Sequence, residues 1–262
     1  MRYWLPMGIF ICWFVLAAFG PLFPLMPDHI ELSKILLSPG HDAMLGYDDL
    51  GRPLWDRLVV GARVSFFVSL MVVTISLTIG TLIGATSAYI GGWFDHVIIR
   101  IVDIFLAFPG LLLAIALAGL MGPGLDNIVI ALSVIGWVGF ARLTRAQIMA
   151  LKDRDHVHAA RALGAGRTRI IMHHLLPLVS APLIVEATFA VASVVIAEAG
   201  LSFLGLGIQP PNPSWGSMIR DGTRYMLVAP HMVLVPGIAL LLVVLSVNLL
   251  GDRLRDRMDV RS

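Results

Sequence analysis

Long runs without a charged residue alternate with shorter polar segments along this 262-residue chain. The uncharged runs occupy residues 3–27, 64–94, 104–125, 127–141 and 225–251, and a further apolar stretch, 175–219, carries only Glu186 and Glu198 as charged residues. A helix that crosses a membrane needs about 20 mostly apolar residues. The pattern therefore predicts an all-α membrane protein with about six transmembrane helices, at roughly 5–26, 65–90, 97–121, 127–149, 178–204 and 229–250.

The composition excludes an ordinary soluble domain. Hydrophobic residues make up 58% of the chain and charged residues 14%, against about 45–50% and about 25% in soluble globular proteins. Cys12 is the only cysteine, so no intrachain disulfide is possible. The formal net charge is +2, and the basic residues lie in the segments between apolar runs. That distribution indicates orientation in a membrane rather than binding to nucleic acid.

Lysine and arginine positions predict which side of the membrane each segment occupies. With both termini in the cytoplasm, the inner side holds thirteen of these residues: Arg2, Arg100, Arg142, Arg145, Lys152, Arg154, Arg161, Arg167, Arg169, Arg253, Arg255, Arg257 and Arg261. The outer side holds six: Lys34, Arg52, Arg57, Arg63, Arg220 and Arg224. This bias satisfies the positive-inside rule, with Arg142 and Arg145 placed at the inner end of the fourth span and their side chains reaching the interface.

The first apolar run has two interpretations, a signal peptide or a retained helix. Its apolar stretch is longer than the usual signal-peptide core of about 7–15 residues, and no A-x-A cleavage site follows it. We therefore expect a retained transmembrane helix at the start of the chain.

Each of the long outer loops, 27–63 and 205–228, contains a predicted short helix. The first has apolar residues at helical spacing, which predicts an amphipathic helix lying on the outer surface before the second span: Leu54, Trp55, Leu58 and Val59. In the second, three prolines prevent a continuous helix, and residues 215–224 are predicted to form a short helix with an interfacial tryptophan.

Small residues recur in the second predicted span, at Gly80, Gly84, Ala85 and Ala88. Small side chains let membrane helices approach each other closely. This span is therefore expected to pack tightly against another span, either of this chain or of a partner.

The polar segment 155–177 differs from the other loops in its internal order. Alanines at 159, 160 and 162 favour helix, and Gly164 and Gly166 permit a tight bend. A second apolar pattern follows at Ile170, Ile171, Leu175 and Leu176, before Pro177. The segment thus predicts a helix, a glycine bend and a second helix on the inner membrane surface, where a soluble partner could bind.

This segment resembles the EAA loop of ABC-importer permeases, in which a coupling helix fits a groove on the ATPase subunit. Further stretches are similar to the peptide/nickel branch of that family: Gly46–Arg52, Gly61–Ser65, Leu201–Pro211 with Pro213–Gly216, and Asn248–Asp256. They occur in the family's order and cover the chain from about residue 40 onward. The chain is similar to the second of the branch's two permease types.

The resemblance implies a bacterial inner-membrane subunit that works with a second permease, two ATP-binding subunits or domains and a periplasmic or lipid-anchored solute-binding protein. We expect residues 1–63 to form the first transmembrane helix and outer loop, and 64–262 a permease core of five helices with a coupling loop at about 150–177. The residues implied in coupling are Ala159, Ala160, Leu163, Gly164 and Ile170. At His158 the family often has glutamate, so any ion pair made by that glutamate is not expected here.

The chain has no ATP-binding loop, because neither Lys34 nor Lys152 follows a glycine or precedes Ser or Thr. We expect no cofactor on this chain, no enzymatic activity, and ATP with Mg²⁺ on the partner subunits. Apart from membrane lipid, the expected partners are therefore proteins.

Two carboxylates fall within the fifth predicted span, where a charged group is costly and usually faces protein or water. Glu198, together with Ser202, is a candidate for the translocation path or its outer gate. Glu186 is a second candidate, and its alternative role is to brace the inner end of the span against arginine residues. About 120° of helix rotation and roughly 18 Å of rise separate the two glutamates, so they cannot form a paired catalytic site. Neutral carboxyls hydrogen-bonded between helices are the alternative interpretation.

Short peptides are the cargo expected from the resemblance, with nickel or a metal chelate as the alternative within the same branch. The histidine pairs at 156 and 158 and at 173 and 174 lack companion ligands, and His41 stands alone in the outer loop. An ion-coupled secondary transporter is a further alternative, which predicts inverted repeats and midplane charges. Neither is clear in the sequence.

Overall fold

The computed structural model describes residues 4–40 and 43–259, and these residues form an all-α fold. The helices are α1 Trp4–Phe19, α2 Leu54–Ile90, α3 Gly92–Leu106, α4 Gly110–Met121, α5 Leu125–Leu151, α6 Asp155–Ala162, α7 Arg167–Arg169, α8 Leu176–Phe203, α9 Trp215–Thr223 and α10 His231–Asp259. Short 3₁₀ turns occur at Gly20–Leu22 and Leu32–Lys34, and a π-helical stretch, Ile170–Leu175, joins α7 to α8. His41, Arg2 and Arg261 lie outside the described residues.

Within those residues, five helical segments are long and apolar enough to cross a membrane: Trp4–Leu22, Leu54–Ile90, Leu125–Leu151, Arg167–Phe203 and His231–Met258. A sixth crossing is present if α3 and α4 are counted as one bent span. The predicted all-α membrane fold is therefore confirmed, with five or six spans.

The third predicted span, 97–121, is not one continuous helix. Its two parts, α3 and α4, meet at an angle of 86°. Pro109 lies at the break, where it precedes α4 with a β-like ψ of 118°. Proline has no N–H to donate and disfavours helical geometry in the residue before it, so the helix ends at Leu106 and restarts at Gly110.

The second span begins earlier than predicted. Residues 54–64 do not form a separate helix on the outer surface but continue directly into α2, which runs for 37 residues. No proline interrupts this stretch, so the helical hydrogen bonds carry on without a break. Residue 63, the predicted domain boundary, therefore lies inside α2.

Trp215 lies in the predicted short helix, α9, but it is buried rather than interfacial. Its indole N–H donates a 3.0 Å hydrogen bond to the carbonyl oxygen of Leu58 on α2. Ser214 caps α9 and exchanges side-chain and backbone hydrogen bonds with Ser217. The segment 205–228, predicted as the second outer loop, is thus attached to α2 through a buried tryptophan.

Helices α2 and α5 share the most extensive contact between two helices of the described structure. A Cβ atom on Gly80 would collide with the carbonyl oxygen of Trp137, and one on Gly84 with that of Ala141. The close approach predicted from the small residues is confirmed, and the partner is a helix of the same chain.

A buried ionic cluster lies at the start of α2. Asp48 accepts hydrogen bonds from the backbone N–H groups of Leu50 and Arg52 and from Arg52 Nε, the last at 2.6 Å. Arg57 Nε of α2 lies 3.4 Å from the same carboxylate. Beside it, burial and the neighbouring Asp48 carboxylate raise the pKa of Asp49 above its ordinary value. The cluster fastens residues 46–53 to the start of α2.

We predict that Gly84→Ala separates α2 from α5, because the added Cβ meets backbone atoms of Ala141 that cannot rotate away. The expected cost is about 1–3 kcal/mol of stability, as for other overpacked contacts. Thermal unfolding of the detergent-purified protein measures this loss.

Gly119→Ala in α4 is the matched control, since a Cβ there meets no atom within 4 Å. Alanine should be neutral or slightly stabilising at this position because of its higher helix propensity. Equal melting temperatures for the two variants would contradict the proposed close contact.

Candidate functional site

The segment between α5 and α8 folds as predicted into a helix, a glycine bend and a second helical stretch. Helix α6 ends at a bend in which the N–H of Ala165 donates to Ala160 O at 3.0 Å and the N–H of Gly164 donates to Arg161 O at 2.9 Å. This pair of bonds is a Schellman motif. Gly164 has the positive φ of 82° that the motif needs, whereas Gly166 is extended and caps α7.

One face of α6 is anchored in the protein. Val157 and Ala160 are buried in a core cluster with Ile148 of α5, Ile170 and Leu175. Burying each of these larger apolar side chains contributes about 1.5–3 kcal/mol. Since the cluster includes side chains from α5, α6 and the stretch before α8, these elements are expected to move together.

The other face of α6 and the bend are open to solvent. Leu163, at the bend, is 89% exposed, and Ala159 is exposed one turn before it. Basic side chains flank Leu163 along the chain, and all of the following are exposed: Arg154, His156, His158, Arg161, Arg167, Arg169 and His173. Asp153 and Asp155 at the start of the segment are exposed as well. An exposed leucine in a mainly basic segment is a surface suited to a soluble protein with an apolar pocket and acidic surroundings.

A groove of about 540 Å³ separates the bend from the end of α2. Tyr89 and Ile90 line one side, and Arg161 and residues 164–167 line the other. The guanidinium of Arg161 lies over the Tyr89 ring, 5.3 Å from its centroid. This contact fixes the position of α6 relative to α2.

An ion pair behind the segment connects α3 with α5. Arg145 Nε and Nη2 each donate a 2.7 Å hydrogen bond to a different oxygen of the Asp95 carboxylate, and Ser87 Oγ of α2 donates to Asp95 at 2.6 Å. Lys152 Nζ, one turn from α6, donates to the Ala88 carbonyl at 3.1 Å. Three helices thus meet directly beside the segment.

The guanidinium of Arg145 is partly exposed and binds Asp95 in a bidentate pair, which the sequence did not indicate. Arg142 on the same helix is exposed, and the position of both arginines at the membrane interface stays a prediction. Sequence reasoning missed the Asp95–Arg145 pair. The signal was an aspartate directly after a long uncharged run and an arginine inside another span, but 50 residues separate the two.

Glu198 of α8 is buried and bound by two serines. Ser65 Oγ of α2 donates to Glu198 Oε2 at 2.9 Å, and Ser202 Oγ donates to Oε1 at 2.8 Å. All three side chains are buried. The carboxyl group therefore joins α8 to α2 across 133 positions of sequence.

Glu186 occupies a different environment. It is half-buried, and Gly139 of α5 faces it, since a Cβ on this glycine would lie 3.6 Å from Glu186 Oε1. The two glutamates of α8 thus face different helices. Among the ion pairs between described residues, none includes Glu186.

Within residues 4–40 and 43–259, no group of three or more His, Cys, Asp or Glu side chains has the geometry to hold a metal ion. Cys12 is exposed and free.

Residues 76–261 match a known family, described as binding-protein-dependent transport system inner membrane component. The chain belongs to this family. It is 43% identical over 227 residues to the dipeptide transport system permease protein DppC of Alkalihalophilus pseudofirmus. The aligned region covers 87% of this chain and 75% of that protein. It is also 38% identical over 256 residues to the glutathione transport system permease protein GsiD of Pectobacterium atrosepticum, covering 96% and 85%.

The permease also resembles a solved structure. A chain of the MetNI methionine ABC transporter, solved in an inward-facing conformation, superposes with a TM-score of 0.63 at 20% identity, covering 78% of this chain and 96% of that chain. At this identity the likeness concerns the fold. The resemblance to ABC-importer permeases of the peptide branch is confirmed by the family and by both relatives.

The residues implied in coupling divide into two groups in the permease. Ala160 and Ile170 are buried and hold the segment to the core, whereas Ala159, Leu163 and Gly164 are exposed. Glu198 and Ser202 are in contact with each other, and Glu186 is not part of their hydrogen-bonded group.

We predict that Glu198→Leu destabilises the permease by about 1–3 kcal/mol, because it leaves the buried hydroxyls of Ser65 and Ser202 without the carboxyl oxygens. Glu198→Gln keeps an oxygen and nearly the same shape, so it should unfold close to the wild-type temperature. Thermal unfolding in detergent measures both.

Ser65→Ala should lower the stability much less in a Glu198→Leu background than in the wild type, since the two residues share one hydrogen bond. Ser193→Ala is the matched control, because its hydroxyl donates only within α8, to Phe189 O. Strict additivity of Ser65→Ala and Glu198→Leu would refute the interhelical bond.

Proposed function

We propose that this permease is the membrane subunit of an ATP-driven importer and that residues 155–177 bind the ATPase. The observation that carries the proposal is that one face of α6 is buried in the core while the other face and the following bend are exposed. Its inner face is fixed in the core through Val157 and Ala160, while Leu163 stands 89% exposed at a rigid bend. ATP and Mg²⁺ belong on the partner subunits, since the chain has no ATP-binding loop.

The proposed orientation places both termini and the 155–177 segment in the cytoplasm. Lysine and arginine are concentrated on that side. The packing of α1 on α10 supports the same arrangement, because Ser246 Oγ of α10 donates to the carbonyl of Pro6, near the start of α1, and the start of α1 shares a cleft with Arg253 and Arg257 of α10.

Movement of a bound ATPase would reach the spans through two groups of contacts. The apolar cluster around Val157 and Ile170 joins α6 to α5 and α8, and the Asp95–Arg145 pair joins α5 to α3. Bound nucleotide would select between outward-facing and inward-facing arrangements of these helices. Hydrolysis would then reset the cycle.

For the translocation path, we assign Glu198 and Ser202 to an outer gate and Glu186 to the wall of the path. Glu198 joins α8 to α2 through Ser65, so movement of α8 requires this contact to shift or break. Glu186 is half-buried beside α5, where its side chain can reach a passage between this permease and a second one.

Short peptides are the proposed cargo, with selectivity supplied mainly by a solute-binding protein. The relatives named for dipeptide and glutathione transport support this assignment. A peptide needs a wide polar passage, whereas a bare metal ion needs a set of coordinating side chains along its path.

We predict that Leu163→Glu releases the ATPase, because it places a charge at the exposed apolar point of the bend. ATPase co-purification and ATP-driven uptake should each fall about tenfold or more, as expected when an interface anchor worth at least about 1.4 kcal/mol is lost. The amount of permease in the membrane should stay unchanged.

Leu227→Glu is the matched control, since Leu227 is 100% exposed in the loop after α9. In a Cys12→Ser background, Leu163→Cys should react with an impermeant thiol reagent only from the cytoplasmic side and should be protected by the ATPase. Leu227→Cys should react only from outside. Full ATPase binding by Leu163→Glu, or labelling of Leu163→Cys from outside, would overturn the assignment.

Cargo is tested by uptake of labelled di- to pentapeptides in cells with and without this chain. We expect peptide uptake to require the chain and accumulation of nickel or chelate to be independent of it. Unchanged peptide uptake together with lost nickel or chelate accumulation would assign the permease to metal transport instead.

A further inference from the structure

A cleft of about 360 Å³ opens between α1 and α10, beside α8. Apolar side chains form most of its wall: Met7, Phe10, Val247, Leu250 and Leu254. Thr188, Arg253 and Arg257 complete it. It lies on the side of the fold where α1 begins and α10 ends, and neither Leu163 nor Glu198 lines it. No function described above uses it.

Two arginines, Arg253 and Arg257, line this cleft. Arg253 and Arg257 are four residues apart in α10, so their side chains project from the same helix face. Arg253 is the first cation after the uncharged run 225–251, which places it where the hydrocarbon part of the membrane gives way to headgroups. Asp256 lies near Arg253 and offsets part of the charge, while Arg255 does not line the cleft.

We propose that this cleft binds an anionic phospholipid of the inner leaflet. Its phosphate group accepts hydrogen bonds from Arg253 and Arg257, and an acyl chain lies along Met7, Phe10 and Leu250. Arginine is suited to phosphate because its planar guanidinium can donate two parallel bonds. Basic pockets between transmembrane helices on the cytoplasmic side bind anionic headgroups by the same chemistry.

The apolar wall distinguishes a lipid from a soluble phosphate. A free anion would use only the arginines and leave Phe10 and Val247 facing an unfilled apolar space. A phospholipid satisfies both parts of the cleft at once, since its charged and apolar ends are covalently joined. Bound in this way, the lipid would contact α1, α8 and α10 together and stabilise their packing.

Lipid retention by the purified transporter tests the proposal. The complex is isolated through a tag on this chain in mild detergent, and bound phosphatidylglycerol, cardiolipin and phosphatidylethanolamine are quantified by mass spectrometry. We expect Arg253→Gln/Arg257→Gln to retain at least about tenfold less anionic lipid, since two charge-assisted bonds are lost. Arg255→Gln, on the same helix but outside the cleft, should retain the wild-type amount.

A second variant separates lipid from free phosphate. Met7 is 44% exposed, so Met7→Trp should fold normally while filling part of the apolar space with both arginines intact. It should lose the rise in melting temperature that phosphatidylglycerol gives the wild-type complex. Inorganic phosphate and phosphatidylethanolamine should give neither protein a comparable rise.

Three results would overturn the proposal. Equal anionic-lipid retention by the double variant and by Arg255→Gln would show that the two arginines do not bind lipid. Stabilisation of the wild type by inorganic phosphate to the same extent as by phosphatidylglycerol would indicate a simple anion site. Loss of the second permease from the double variant, with lipid retention unchanged, would indicate a protein contact at this cleft.

Discussion

The contact between α2 and α5 is the constraint on which the polar contacts and α6 depend, because it is the most extensive helix–helix contact of the described residues. Membrane helices gain little from the hydrophobic effect, because lipid is as apolar as their side chains, so they associate through close packing and polar contacts. At Gly80 and Gly84, α2 approaches the backbone of α5 more closely than any Cβ atom would allow. Helix α2 carries Ser65 near one end and Ser87 near the other, and α5 leads directly to α6. A shift at this contact would therefore displace the polar groups around both serines.

Polar contacts then join the remaining helices to this pair at two levels. Glu198 connects α8 to α2 at Ser65, and Asp95 connects α3 to α2 at Ser87 and to α5 at Arg145. Removing one partner from a buried polar contact costs more than the contact contributes, because the remaining group loses its partner without regaining water. Such contacts suit a protein with two arrangements, since each can be broken only when another packing replaces it.

The sequence predicted the local features of this fold and missed those that depend on distant residues. The spans follow from the length of apolar runs, and the bend at Gly164 follows from a conformation that glycine adopts without strain. The break at Pro109 was readable in principle, but a proline inside an apolar run also fits a kinked helix. Trp215 is hydrogen-bonded to a residue 157 positions away in the sequence. Arg145 pairs with a residue 50 positions away. Nothing in the local pattern identifies such partners.

The π-helical stretch shows how the 155–177 segment is both firmly attached and open to a partner. Ile170, Ile171 and Leu175 are buried, while Met172 and His173 between them are exposed. A π-helix forms i→i+5 hydrogen bonds, so its wider turn brings Ile170 and Leu175 to the same face. This arrangement keeps three apolar anchors in the core cluster directly before α8. Force applied at Leu163 would thus reach α8 through buried packing rather than through a flexible loop, and the solvent-facing side stays open for the ATPase partner that we propose.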